Sequence, residues 1–385
     1  MSQLLPPYGN GLLPGNIRSR TVADINGLTV HLIEAGFEAS GRSLLLLLHG
    51  FPELAFSWRK VMPRLAAAGF HVIAPDMRGY GRTTGSDNSY EADLLPFGLI
   101  NMVRDALCLV AAFGYGSVEA VIGHDAGSPV AAWCALVRPD VFRSVVLMSA
   151  PFPGTPTLPF NTANAPPPAV APGPGMDERL AALPRPRKYY QHYYCTREAN
   201  ENMLRARQGL HAFFRAYYHF KSADWKGNKP HPLKDNSGEA LAEMPAYYIM
   251  DRDKGMAESV APEMPSAGEI TACRWLTGDE VAVYAAEYGR TGFQGGLQHY
   301  RRGSDPRLVA ELRTFAGRTV DVPSLFISGK SDWGVYQTPG AAKAMRTTAC
   351  TQMRGFELVD GAGHWVQQEQ AERVSELILR FVRSR

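Results

Sequence analysis

Short, uninterrupted apolar runs punctuate the first half of the chain, and amphipathic stretches separate them. The runs at 27–34, 43–48, 70–74, 118–122 and 144–148 read as strands, the second containing five consecutive leucines from Leu44 to Leu48. The stretches 58–68 and 99–113 between them carry the 3.6-residue periodicity of helices with one buried face. Continuous Val/Ile/Leu strands alternating with helices predict a parallel sheet covered on both faces. After Pro151 the alternation stops. Residues 151–186 hold eleven prolines, with Pro166, Pro167 and Pro168 consecutive, which argues against regular core structure there. From 187 to about 302 the pattern is helical and rich in tyrosine, without clear strands. Strand-like runs return at 322–328 and 356–359, and an amphipathic helix is expected at 371–383. The predicted organisation is one α/β core, residues 1–152 and 305–385, interrupted by a helical cap over 153–304 whose first part, 153–186, is a proline-rich loop.

Composition narrows the function classes. The 385 residues are 45% hydrophobic and 20% charged, as in a globular protein with a substantial core. Forty basic against 37 acidic residues leave a net charge of +3, too small a surplus to argue for nucleic acid or an anionic membrane as partner. No apolar run approaches the roughly 20 residues that span a bilayer, and the first 16 residues lack the basic start and apolar stretch of a signal peptide. Cys108, Cys134, Cys195, Cys273 and Cys350 are odd in number and scattered, so neither a disulfide framework nor a zinc site is expected. The expectation is a soluble, cytoplasmic protein with no metal and no cofactor. Its oligomeric state is not set by the sequence, and a homodimer stays open.

Open parallel sheets bind ligands at the carboxyl ends of their strands. Five segments with chemical potential follow predicted strands directly: 49–52, 76–81, 123–127, 331–332 and 363–365. The most informative is Gly123-His124-Asp125-Ala126-Gly127, which has the small-x-nucleophile-x-small spacing of a nucleophile elbow between a strand and a helix. Its central residue is Asp125, where serine or cysteine would be usual. A carboxylate is already an anionic nucleophile at neutral pH. Its attack on a saturated carbon yields an alkyl ester that water must then cleave, so a general base is needed in the second step. His364, between Gly363 and Trp365, suits that role, since imidazole titrates near neutrality. Asp332, just past a predicted strand, is the orienting acid in preference to Asp360, which ends a strand itself. Ester cleavage needs an oxyanion hole, and the backbone N–H groups of Phe51 and Ala126 are placed to supply it. His49 and His124 are assigned to hydrogen bonding around the loops, and Arg78 and Arg82 to anchoring the 76–82 loop.

Taken in order, His49-Gly50-Phe51-Pro52-Glu53, the 76–83 loop, 123–127, Asp332 and Gly363-His364-Trp365 resemble the α/β-hydrolase family, specifically its soluble epoxide hydrolase branch. Haloalkane and fluoroacetate dehalogenases are close relatives with the same aspartate nucleophile. The resemblance covers roughly 230 residues of the two core segments. It implies an α/β-hydrolase fold, a mostly parallel central sheet flanked by helices with an inserted helical lid. Epoxide hydrolases carry two cap tyrosines that point their hydroxyls at the epoxide oxygen. The 189–194 segment is similar to the first cap motif and implies Tyr190, and the 291–301 segment is similar to the second and implies Tyr300. Chemistry independently favours such a pair, because a departing alkoxide needs a neutral acid and a phenol with a pKa near ~10 supplies one.

Two departures weigh against dehalogenation. Ala126 stands where the relatives carry a halide-donating tryptophan, and Gly127-Ser128-Pro129 offers none of the arginines by which fluoroacetate dehalogenases hold a carboxylate. The implied activity is therefore hydrolysis of an epoxide to a vicinal diol. The alternatives are a dehalogenase acting on a haloalkane or halo-acid, and a biosynthetic cyclase that opens an epoxide with an internal hydroxyl. The substrate is expected to be a small apolar epoxide, with Trp365, Phe152 and Pro52 lining its pocket.

Overall fold

The computed structural model describes residues 7–156 and 174–384. Six strands precede the insertion: β1 (Ile17–Ile25), β2 (Leu28–Ala35), β3 (Leu44–Leu48), β4 (His71–Pro75), β5 (Ala120–His124) and β6 (Val145–Met148). Within it, β7 (Arg187–Tyr189) and β8 (Ile249–Asp251) form a short antiparallel ribbon, and β9 (Ser324–Gly329) and β10 (Met353–Val359) follow. Eight of these form one sheet in the order β1-β2-β4-β3-β5-β6-β9-β10, with β2 antiparallel to both neighbours and every pair from β4 to β10 parallel.

Every residue of β3, β4, β5, β6 and β9 is buried, which is why their sequences are mainly apolar with no alternating polar face. The edge strand β1 differs. Only its two terminal isoleucines are buried, and its Arg18 and Arg20 reach across to Glu34 of β2. Helices flank the sheet. Leu99–Ala112 packs on Gly127–Val137, and Met62–Ala67 on the final helix Ala371–Arg383, which buries Val374, Leu377, Ile378, Phe381 and Val382 at helical spacing.

Between β6 and β9 the chain forms a helical layer over the carboxyl ends of the strands, and its described elements include Tyr190–Tyr194, Leu210–Lys221, Gly278–Thr291 and Gln294–Arg301. The helix Gly278–Thr291 opens with a capping box between Thr277 and Glu280. Buried ion pairs lock this helix to the core, Arg59 to Glu280 and Arg82 to Glu287, each at 2.7 Å. Hydroxyls do the same without charge: Tyr288 donates to the Glu53 carbonyl and Tyr218 to that of Pro52.

Three expectations need correction. β1 was not foreseen, the insertion does contain strands, and Met176–Ala181 is helical within the proline-rich segment 153–186, because its stretch from 175 to 183 has no proline. The rest of that proline-rich loop, 157–173, lies outside the described residues.

Asp76 ties the loop after β4 to its surroundings. Wholly buried, its carboxylate accepts from Tyr8 Oη, Ala55 N, Arg82 N and His31 Nδ1 at 2.7–3.0 Å. Burial alone would raise its pKa, but the charge and hydrogen bond of His31 lead the opposing effects and hold it at about 2, against 3.8 for a free aspartate. A depressed folded pKa stabilises the native state above the unfolded value and is lost as pH falls through the folded one. The gap corresponds to about 2 kcal/mol, of which about 1 kcal/mol should disappear between pH 5 and pH 3. Urea unfolding at the two pH values should show that loss in the wild type and a curve flatter by this amount in Asp76→Asn.

Candidate active site

Asp125 sits at the sharp turn between β5 and the helix Gly127–Val137, with φ at +49°. That left-handed conformation is costly for a residue with a side chain, and it projects the carboxylate up from the sheet. The turn closes only because its flanks are bare. A Cβ on Gly123 would lie 2.1 Å from the Gly127 carbonyl oxygen, and one on Gly127 would lie 2.4 Å from that of Leu48. Phe51 N donates to Asp125 Oδ1 at 2.9 Å, which leaves Oδ2 as the oxygen free to attack. The Ala126 N–H meets no acceptor among the described residues, and Ala126 lines the same cavity as Asp125.

The loops after β9 and β10 bring the remaining groups alongside. His364 Nε2 lies 3.3 Å from Asp125 Oδ2, too poorly aligned to count as a hydrogen bond, and Nδ1 lies 3.1 Å from Asp332 Oδ1. Asp332 is in turn fixed by Gly334 N and Ser328 Oγ, at 2.8 and 2.9 Å. Burial works to raise the pKa of both carboxyls. For Asp125 the close approach and charge of His364 dominate, then the cations Lys221 and His124, and hold it well below the usual carboxylate range. For Asp332 the charge of His364 leads in the same direction. Both are anionic at neutral pH.

A cavity of about 310 Å³ opens onto Asp125 and Ala126 from the core side and onto Tyr190 and Tyr300 from the cap side. The two tyrosine rings are 6.0 Å apart. The Tyr190 oxygen accepts from the side-chain amides of Gln191 and Gln337, each at 3.1 Å. With both lone pairs so engaged, its own hydrogen is left to donate. Tyr300 Oη has no hydrogen-bond partner among the described residues. Burial, and next to it neighbouring Tyr189 for the first and Asp125 for the second, push both phenols well above 10, so both remain neutral donors.

The family model for the alpha/beta hydrolase fold matches residues 43–371. The chain belongs to the α/β-hydrolase family. Its relatives place it in the epoxide hydrolase branch. It is 31% identical to an epoxide hydrolase of Caballeronia sordidicola, over 97% of this chain and 95% of the other. Epoxide hydrolase A of Mycobacterium tuberculosis is 29% identical, over 94% and 96%. Among solved structures, an epoxide hydrolase from an endophytic Streptomyces superposes with a TM-score of 0.74 at 27% identity, covering 96% of each chain.

In this α/β-hydrolase three residues expected to line the substrate pocket fall elsewhere. Trp365 is fully buried, stacked at 4.2 Å on Tyr218 with its indole N–H donated to the Tyr218 carbonyl. Phe152 packs edge-on to Trp133, and Pro52 spends its carbonyl on Tyr218. Nor is the cavity uniformly apolar, since Gln191, His299, Arg302 and Gln337 all line it.

Further residues support the site: Glu53, Ser149 and Lys221 were not assigned from the sequence, whereas His124 has the hydrogen-bonding role read there. Behind the triad, Glu53 and His124 form a fully buried pair, Oε2 to Nδ1 at 2.5 Å, and Glu53 also accepts from Gly50 N and Gln367. Burial opposes charging His124, but the Glu53 carboxylate outweighs it and raises the pKa. Through Nε2 this imidazole donates to the His364 carbonyl, joined there by Ser149 Oγ. Lys221 completes the support: its carbonyl accepts from His364 N, and its ammonium lies 4.9–5.7 Å from the ring centroids of Tyr217, Tyr247, Tyr248 and Trp365. The sequence signals for these groups are Glu53 in the 49–53 motif and His124 in the 123–127 motif.

Proposed function

We propose that this α/β-hydrolase hydrolyses small-molecule epoxides to vicinal diols, the activity named for its relatives. One observation carries the reading beyond family membership: two neutral phenols, one with its oxygen already saturated as an acceptor, share a cavity with an anionic carboxylate. In the first step Asp125 Oδ2 bonds to an epoxide carbon as the C–O ring bond breaks, and Tyr190 and Tyr300 hydrogen-bond the departing oxygen, one of them supplying its proton. In the second, His364 takes a proton from water, whose oxygen attacks the ester carbon Cγ. The oxyanion forms on Oδ1, which Phe51 N already holds, with the Ala126 amide as its second donor. Collapse breaks the bond from Cγ to the ester oxygen, which takes the proton held by the His364 imidazolium as the diol leaves; the second proton of the attacking water returns to the tyrosinate, so that Asp125 is again a carboxylate. Asp332 steadies the imidazolium in between. Halide release would need no proton donor, so the paired phenols favour an epoxide over a haloalkane.

The route makes a definite isotopic prediction. In a single turnover with enzyme in excess in heavy-oxygen water, the diol should carry no label and Asp125 should gain one labelled oxygen, detected in its peptide by mass spectrometry. A labelled diol with an unlabelled Asp125 would mean direct attack by water and would overturn the covalent route.

A further inference from the structure

The cavity holds a charge that epoxide opening does not use. Arg302 follows the helix that carries Tyr300 and lines the same cavity as Asp125, yet the residue is only 9% exposed. The one hydrogen bond of its guanidinium runs from Nη1 to the Phe97 carbonyl at 3.2 Å, and among the described residues no carboxylate lies within 4 Å of it. Elsewhere buried arginines are matched: Arg59 by Glu280 and Arg78 by Asp105. Arg215 also lacks a close acid, and only its Nη1 is engaged, by the Leu276 carbonyl and Cys273, but unlike Arg302 it does not line the cavity. The neighbours of Arg302 cannot neutralise it. Tyr80 and Tyr300 are phenols held well above 10 by burial. His299 donates Nε2–H to the Arg78 carbonyl and is kept uncharged by burial and by Arg302 itself. Burial lowers the guanidinium only to about 10, so it stays cationic.

A desolvated, unpaired guanidinium is expensive unless something else completes it. Its planar fork of N–H donors matches a carboxylate. Arg302 is the only lysine or arginine among the residues lining the cavity, so a monoanion balances it where a dianionic phosphate would not.

We infer that Arg302 is a specificity-determining residue that anchors a carboxylate on the substrate, and that the preferred epoxide is a short-chain epoxy acid. The inference deepens the epoxide hydrolase reading and rests on it for the word epoxide. It departs from the expectation of an apolar substrate: the cation missing after the nucleophile is supplied from the cap side.

The test compares terminal epoxy acids from 3,4-epoxybutanoate to 7,8-epoxyoctanoate with their primary amides, alongside calorimetric binding of hexanoate and hexanamide. At the best chain length kcat/KM should favour the acid by at least about tenfold, mostly through KM. Arg302→Met should bring that ratio close to one, and Arg302→Lys should retain part of it. Hexanoate should bind the wild type more tightly than hexanamide, and the methionine variant should lose the difference. If the wild type shows no preference in either measurement, the anchoring role is overturned, whatever the variants do. If hexanoate binds selectively while no epoxide is turned over, the carboxylate site stands and the hydrolase reading falls.

Discussion

Replacing His364 with glutamine is expected to leave an enzyme that consumes one equivalent of epoxide and then stops. Nothing in ring opening requires the imidazole. The Asp125 carboxylate is oriented by Phe51 N, and with His364 gone Lys221 and His124 still favour its anionic form. The second step is different, because water attacks an ester poorly unless its proton is removed as the bond forms. General bases of this kind contribute about 10²–10⁴-fold, so steady-state turnover should fall by about 10³-fold while the alkylation burst survives. The loop should hold its place, since its backbone is secured independently of the imidazole: His364 N donates to the Lys221 carbonyl, and the His364 carbonyl accepts from His124 and Ser149. Rapid-quench mass spectrometry should then find the Asp125 peptide heavier by the mass of the intact epoxide. Sustained diol release within tenfold of the wild-type rate would exclude His364 as the base.

The parts of the site that could be read in advance share a physical property: each is a local constraint written in a few adjacent residues. The elbow needs Gly123 and Gly127 because two backbones meet there, and Asp332 and Gly363-His364-Trp365 stand out as polar punctuation after apolar strands. The parallel core was legible for the same reason, its strands being buried on both faces. What escaped depends on burial that no local pattern encodes. β1 alternates poorly because an edge strand exposes most of its side chains. Lys221 and Arg302 occur in polar, tyrosine-rich helical stretches where a solvated cation is the ordinary reading, and only the packed fold shows them desolvated. Glu53 and His124 are 71 residues apart, so their contact is a product of strand order. Trp365 misled in the opposite sense, its aromatic bulk at a site motif suggesting a pocket wall when it serves as packing beneath the cap.

The cap tyrosines should prove as costly to lose as the base, but in the other half-reaction. Tyr190→Phe combined with Tyr300→Phe removes both hydroxyls proposed to donate to the departing oxygen while keeping the rings that pack on each other and on Phe51 and Tyr194. An epoxide opened without a donor leaves a bare alkoxide in a desolvated cavity that also holds the Asp125 ester, and removing a single such donor elsewhere costs about 10²–10³-fold. The double variant should therefore lose at least about 10³-fold in the alkylation rate, with no covalent adduct accumulating in a rapid-quench time course. The single variants should not be equal. Gln191 and Gln337 donate to the Tyr190 oxygen and partly counter the effect of burial on its pKa, whereas no amide of this kind supports Tyr300. A phenol whose conjugate base is solvated by two amides gives up its proton more readily, so Tyr190→Phe should be the slower of the two. Equal losses would make the pair interchangeable hydrogen-bond donors, and a double variant that still alkylates Asp125 at near wild-type rate would remove the tyrosines from the mechanism.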